Sequence, residues 1–214
     1  MSRGDVIYDQ NITIAQFLDG TAAKQPVPGG GSVSALVGAL SAAIGEMVVN
    51  YSVGKKGLEV HRDALRKALS ELHRARQLMV ELIVEDQNAY QALSAAKKLP
   101  GDAQDRKAQF NAALLASIRT PEAIAATAVA ILELCGQLVQ IVNFYLLSDL
   151  AVCADLAMAT LRCGIYNVRV NLVDVADPSD RKKIEATIAT LLSHGTSIIK
   201  RVAPAIWERN RGGK

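Results

Sequence analysis

Asp86 stands out because of its neighbours. Met79, Leu82, Ile83, Ala89, Tyr90 and Leu93 recur at helical spacing and define an apolar stripe, and Asp86 falls on it. A carboxylate on such a stripe is partly buried. Burial disfavours the charged form and raises the pKa toward the range useful for proton transfer. Two plainer readings stand beside that one: pairing with an arginine from a neighbouring helix, or exposure through a slight rotation of the helix. Glu85, one residue earlier, points off the stripe and reads as an exposed charge.

Further polar residues fall where a core is expected. On a helix from Ser148 to Leu172, Asp149, Thr160, Asn167 and Asn171 lie within about 40° of one direction at 100° per residue, with Cys153 and Gly164 on the same face. Such a ribbon needs hydrogen-bond partners, supplied either by a polar heterocycle or by a neighbouring helix. Asn143, just upstream, could feed the same pocket. Gly29, Gly30, Gly31 and Ser32 lead into a helix, whose free N–H groups can hold an anion or a carbonyl oxygen. The alternative is a flexible turn, and neither a P-loop nor a dinucleotide fingerprint fits. Gly54-Lys55-Lys56 could hold acidic ligand groups or simply be solvated.

Other chemistries find little support. His61 and His73 are twelve residues apart, not four, and no paired-cysteine motif accompanies them, so no metal site is expected. No nucleophile elbow appears. Cys135, Cys153 and Cys163 lie in apolar helical segments and read as small core residues of a reduced, cytoplasmic protein. A net charge of +3, from 24 basic and 21 acidic residues, gives no reason to expect nucleic acid.

The elements that position these residues are helical. Of 214 residues, 50% are hydrophobic but only 4% aromatic, and alanine is abundant. Thr13 caps a helix through Lys24, and Ser32 caps one to about Ser52. An unbroken segment from Leu58 to Lys98 predicts one helix of about 40 residues. Asp102 caps a helix to Arg119, Thr120-Pro121 opens another to about Val142, and Ser148 caps the next. Ser179 caps the last, which Pro204 should kink or end. The uncharged runs Ser32–Gly45 and Leu134–Ser148, of 14 and 15 residues, fall short of a membrane span and read as core or interface. The N-terminus has no apolar leader. The expectation is an all-α, up-and-down bundle, one domain over residues 1–214, that oligomerises to bury its long helix.

In order and spacing, four blocks resemble the cyclodeaminase/cyclohydrolase family of folate one-carbon metabolism. They are Phe17-Leu18 with Pro26 through Ser32 and the small-residue helix to Met47-Val48; Gly54-Lys55-Lys56; Glu85-Asp86 with Ala89-Tyr90 and Leu99-Pro100; and Asn143, Ser148-Asp149, Asn167 and Asn171. Two positions depart from the family pattern: Val142 where it usually has glycine, and Tyr90 where it usually has phenylalanine.

The resemblance implies an all-helical homodimer or larger oligomer that binds a tetrahydrofolate derivative near the dimer interface. It implies no other cofactor, metal, nucleic acid or membrane. Asp86 would shuttle protons. Asn143, Ser148, Asp149, Asn167 and Asn171 would hydrogen-bond the pterin or orient Asp86. Gly29, Gly30, Gly31 and Ser32 would let the backbone approach the ligand, and Lys55 and Lys56 would meet the glutamate tail. The activity implied is methenyltetrahydrofolate cyclohydrolase, for want of a fused formiminotransferase domain. Formiminotetrahydrofolate cyclodeaminase is the alternative, and a non-catalytic folate-binding or scaffold protein the alternative of another class.

Overall fold

The computed structural model describes residues 7–100 and 105–212. Among them are six α-helices: α1 (Ile14–Ala22), α2 (Gly30–Asn50), α3 (Arg62–Lys98), α4 (Arg106–Leu138), α5 (Leu147–Asn171) and α6 (Pro178–Gly212). Three short 3-10 turns precede α3, precede α5 and follow α5. The all-α bundle expected from composition is what forms.

Helix α2 lies between α3 and α5 and runs antiparallel to both. Toward α3, a Cβ at Gly31 would meet Asp86, at Gly38 Met79 and at Gly45 Leu72. Both series step by seven residues, two helical turns, so each glycine receives one side chain from the facing helix. Met79 and Leu72 are fully buried. Asp86 therefore occupies a place in the ladder that belongs by spacing to a core hydrophobe. Toward α5, Gly30 faces Asn167, Gly38 faces Thr160 and Gly45 faces Cys153. The small residues of α2 thus permit close approach on two sides at once.

Several boundaries differ from expectation. Thr13 caps α1 as foreseen, in a capping box with Gln16, but that helix ends at Ala22. Gly29, in extended conformation, caps α2; Ser32 is inside the helix with its hydroxyl engaged elsewhere. Helix α3 starts at Arg62 and spans 37 residues. Ser148 lies within the first turn of α5. Ser179 is inside α6, where its N–H donates to Asp177 Oδ1 at 2.7 Å. The expected cap at Asp102 lies outside the described residues.

Neither interior proline ends its helix. Pro121 sits mid-way in α4, so the two helices expected on either side of it are one of 33 residues. Proline has no N–H for the carbonyl four residues back, here Ser117. Asn171 Nδ2 supplies the missing donor to that carbonyl at 2.8 Å. Pro204 is exposed on α6, where water can serve the freed carbonyl.

Segments Gly30–Asn50, Arg106–Leu138 and Phe144–Asp174 are long and apolar enough, by length and composition, to cross a membrane, which corrects the count of uncharged residues. Of the 18 most apolar consecutive residues of each, 56%, 50% and 44% respectively are instead buried inside the bundle. Cys135 and Cys153 are buried as expected, whereas Cys163 is exposed.

Candidate active site

At the N-terminal end of α2, the Asp86 carboxylate is half-buried and held from one side. Its Oδ2 accepts the Ser32 main-chain N–H at 2.8 Å and the Ser32 hydroxyl at 2.9 Å. The N–H is one of the donors that a helix start leaves unpaired, so the carboxylate acts as a cap from another helix. Oδ1 lies over Gly31, where a Cβ would sit only 1.8 Å away. No other residue type fits beneath the carboxylate in this pose. Burial raises the Asp86 pKa above the ordinary carboxylate value, and the two Ser32 hydrogen bonds partly oppose that rise. Among the described residues, no arginine pairs with Asp86 as the sequence allowed. Glu85 is exposed, as expected.

Asn167 completes this end. A Cβ on Gly30 would lie 3.3 Å from its Oδ1, while its Nδ2 donates to the Cys163 carbonyl. Gly29 is open by comparison: a Cβ there meets only the Pro26 carbonyl, at 3.6 Å. The glycine turn and the carboxylate, far apart in sequence, thus form one half-buried cluster of Gly30, Gly31, Ser32, Asp86 and Asn167.

The other predicted residues gather at the opposite end of α2. Lys55 Nζ donates to Asn143 Oδ1 at 2.7 Å and sits 5.1 Å from the centre of the Tyr145 ring, a cation–π contact. Asn143 also accepts the Tyr145 N–H at 3.2 Å and donates its own N–H to Ser52 Oγ at 2.8 Å. Ser148 and Asp149 begin α5 here, level with the C-terminal end of α2 by the α2–α5 register. Lys56 is exposed on the same turn. From Ser32 to Asn50 the α2 axis rises about 27 Å.

That separation revises the ribbon on α5. Its residues share a direction but are spread along the axis, and most are satisfied by helices. Thr160 bonds its own helix at Leu156, and Asn171 serves Ser117 of α4 and the Asn167 carbonyl. Gly164 packs on the Pro121 carbonyl, and Cys153 lies against α2. Of the residues given one pocket from sequence, Asn167 is beside Asp86, Asn171 is committed to α4, and Asn143, Ser148, Asp149, Lys55 and Lys56 belong to the far end. Ser52 and Tyr145 were not foreseen; the aromatic pair Phe144-Tyr145 beside Asn143 was the available signal. Val142, at the position where glycine is usual, is buried without a positive φ, and its carbonyl accepts Arg209 Nη2 at 2.8 Å. Among the described residues, no group of three or more His, Cys, Asp or Glu side chains is placed to hold a metal ion.

A family model described as formiminotransferase-cyclodeaminase matches residues 13–190, which include both ends of α2 and every candidate site residue named from the sequence. The chain belongs to this family. Among relatives of the family member, a methenyltetrahydrofolate cyclohydrolase of Methylorubrum extorquens is 30% identical over 90% of the chain and 94% of its own length. Formimidoyltransferase-cyclodeaminases of Sus scrofa and Rattus norvegicus are 30% and 29% identical over 82% and 84% of the chain. The chain spans about a third of those two proteins, 33% and 34%. The solved structure of a formiminotetrahydrofolate cyclodeaminase from Thermotoga maritima superposes with a TM-score of 0.80. It is 24% identical and covers 94% of this chain and 97% of that one, a likeness of fold.

Proposed function

We propose that this family member is a methenyltetrahydrofolate cyclohydrolase of the cytoplasm, with Asp86 as its proton-transfer group. The observation that carries the reading is the half-buried Asp86 carboxylate, anchored at Oδ2 and lying over Gly31. The match to the Methylorubrum cyclohydrolase over nearly its whole length supports the hydrolytic activity. The methenyl carbon of the substrate is already cationic, bonded to two nitrogens. Water adds to it and gives a proton to Asp86. Asp86 then returns that proton to N5 as the bond from carbon to N5 breaks, and the remaining hydroxyl proton leaves to solvent as the C=O forms, giving 10-formyltetrahydrofolate. This sequence uses a carboxylate of raised pKa twice and asks for no metal or further cofactor.

The working unit is a homodimer. On α2 and its C-terminal cap, Val33, Val37, Leu40, Ile44, Met47 and Tyr51 alternate by four and three residues, the spacing of a helix-pairing seam. None is buried within the chain, and Leu40 and Tyr51 are more than half exposed, at 54% and 66%. Two such helices crossing antiparallel about the middle of the seam set Ser32 of one copy level with Ser52 of the other. The Asp86 end of each then meets the partner's Lys55–Asn143 end. Together the two ends offer a folate both a proton-transfer group and a cation for its anionic tail.

Two assays test this. Purified protein is offered 5,10-methenyltetrahydrofolate and 5-formiminotetrahydrofolate, following methenyl absorbance and ammonia; turnover of the first alone supports the cyclohydrolase. Ammonia release from the second would make it the cyclodeaminase, and no turnover of either would leave a folate-binding or scaffold protein. Mixing Asp86→Asn and Lys55→Met chains, each defective alone, should restore about a quarter of the activity if sites are shared between copies. No restoration would place each site within one chain.

A further inference from the structure

Gln87 follows Asp86 in sequence, is wholly buried, and has no part in the chemistry above. Its side-chain amide makes three hydrogen bonds. Oε1 accepts the Tyr8 N–H at 2.9 Å, and Nε2 donates to the Tyr8 carbonyl and to the Ile83 carbonyl, each at 2.9 Å. The N-terminal segment is thereby strapped across α3 beside Asp86. Tyr8 itself fills the space above Gly20, packs edge-on against Phe17 and accepts a hydrogen bond from Gln25.

The contact that matters is the one to Ile83. That carbonyl lies 3.2 Å from the Ser32 hydroxyl, which is also 2.9 Å from Asp86 Oδ2. A serine hydroxyl has one hydrogen, so it serves one acceptor or the other. A carbonyl oxygen has two lone pairs. The helical N–H of Gln87 takes one at Ile83, four residues back. Gln87 Nε2 takes the second. With both filled, the Ser32 hydrogen turns to the carboxylate.

We infer that Gln87 is a positioning residue: by occupying the second lone pair of the Ile83 carbonyl it directs the Ser32 hydroxyl onto Asp86. The acidity of Asp86 is then set at one remove, by a residue that does not touch it. The other groups around the carboxylate leave this relay little competition. From α2 the nearest side chain is Ser32, and the helix's one charged residue, Glu46, lies four turns on, paired with Arg76. From α5 the neighbour is the neutral Asn167. On α3 itself Glu85 and Tyr90 are exposed, and on the strap Asp9 is engaged with Asn11.

The test is independent of any activity. The Asp86 carboxyl is followed by carbon-13 NMR in protein labelled at aspartate, its signal assigned by its loss in Asp86→Asn. Gln87→Met keeps the bulk and removes the amide. The Ser32 hydrogen should then be shared with Ile83, and the Asp86 pKa should rise by about one unit, tenfold in proton affinity. In a Ser32→Ala background the same change should move it by less than about 0.3 units. Equal shifts in both backgrounds would mean that Gln87 acts through packing, and no shift with Ser32 present would also overturn the relay. If Gln87→Met does not fold, Gln87→Asn, too short to reach Ile83, is read in the same way. Loss of turnover in the wild type bears on the enzyme reading and leaves this result untouched.

Discussion

The two ends of α2 solve opposite electrostatic problems. At its start a carboxylate is taken into the ladder of core side chains, and only main-chain and hydroxyl donors from Ser32 hold it. At its finish the Lys55 cation is held by an amide oxygen and an aromatic face. The first arrangement leaves charge costly and titratable, because desolvation outweighs the two hydrogen bonds. The second gives an ammonium group two partners that fix where it sits. One end is thus built to move a proton, the other to hold a side chain in position.

The largest effect should separate these roles. Asp86→Asn keeps the shape and removes the titrating group, so turnover should fall by about 10²–10⁴-fold with binding retained. Lys55→Met should instead raise KM, by about 10–100-fold, with a smaller change in kcat. Steady-state kinetics on both variants decides the matter. If Lys55→Met lowers kcat as far as Asp86→Asn does, the cation takes part in the chemistry and the contrast between the ends collapses.

Within the carboxylate end, the two adjacent glycines should differ. A Cβ at position 31 collides with Asp86 Oδ1, whereas one at position 30 stands 3.3 Å from the Asn167 amide oxygen, a tight contact that a shift of a few tenths of an ångström relieves. Gly31→Ala should turn the carboxylate away from Ser32 and lower turnover by about 10²-fold, the scale of a 1 Å misplacement. Gly30→Ala should cost only a few-fold. Kinetics and melting temperatures of the pair check this; equal losses would mean the turn is merely structural.

The smallest effect is on stability. A carboxyl whose pKa is raised by folding binds its proton more tightly in the native state, so its contribution is present at low pH and lost as pH rises. Relative to Asp86→Asn, the wild type should therefore lose stability as pH climbs from the ordinary carboxylate range through the raised Asp86 value. Urea melts of both proteins across that range give the sign directly. A difference independent of pH would mean that Asp86 ionises as freely folded as unfolded.

Much of this was legible in the amino-acid order. Helical spacing placed Asp86 on a buried stripe, and the family resemblance pointed to a close backbone approach at the glycine-rich turn. What spacing could not supply was distance along an axis. Asp149 and Asn167 share a direction on α5 yet sit at opposite ends of α2, because a periodicity reports angle and is silent about rise. Ser32 looked like a cap because serine at a helix start commonly is one. The structure gives that position to Gly29 and turns the hydroxyl to a partner 54 residues away. Pro121 looked like a helix start for a similar local reason. The donor that lets α4 continue comes from another helix, beyond the reach of any local rule.

That donor, Asn171, ties the history of two distant positions together. The asparagine is needed at the Ser117 carbonyl while residue 121 lacks an N–H, and the proline is tolerable at this buried position while something supplies one. Lineages descending from this chain should therefore exchange the two positions as a couple. Drift at 121 toward an ordinary helix former releases 171 to become apolar, whereas drift at 171 alone strands a buried carbonyl. Where asparagine persists without the proline, it has been recruited to other work.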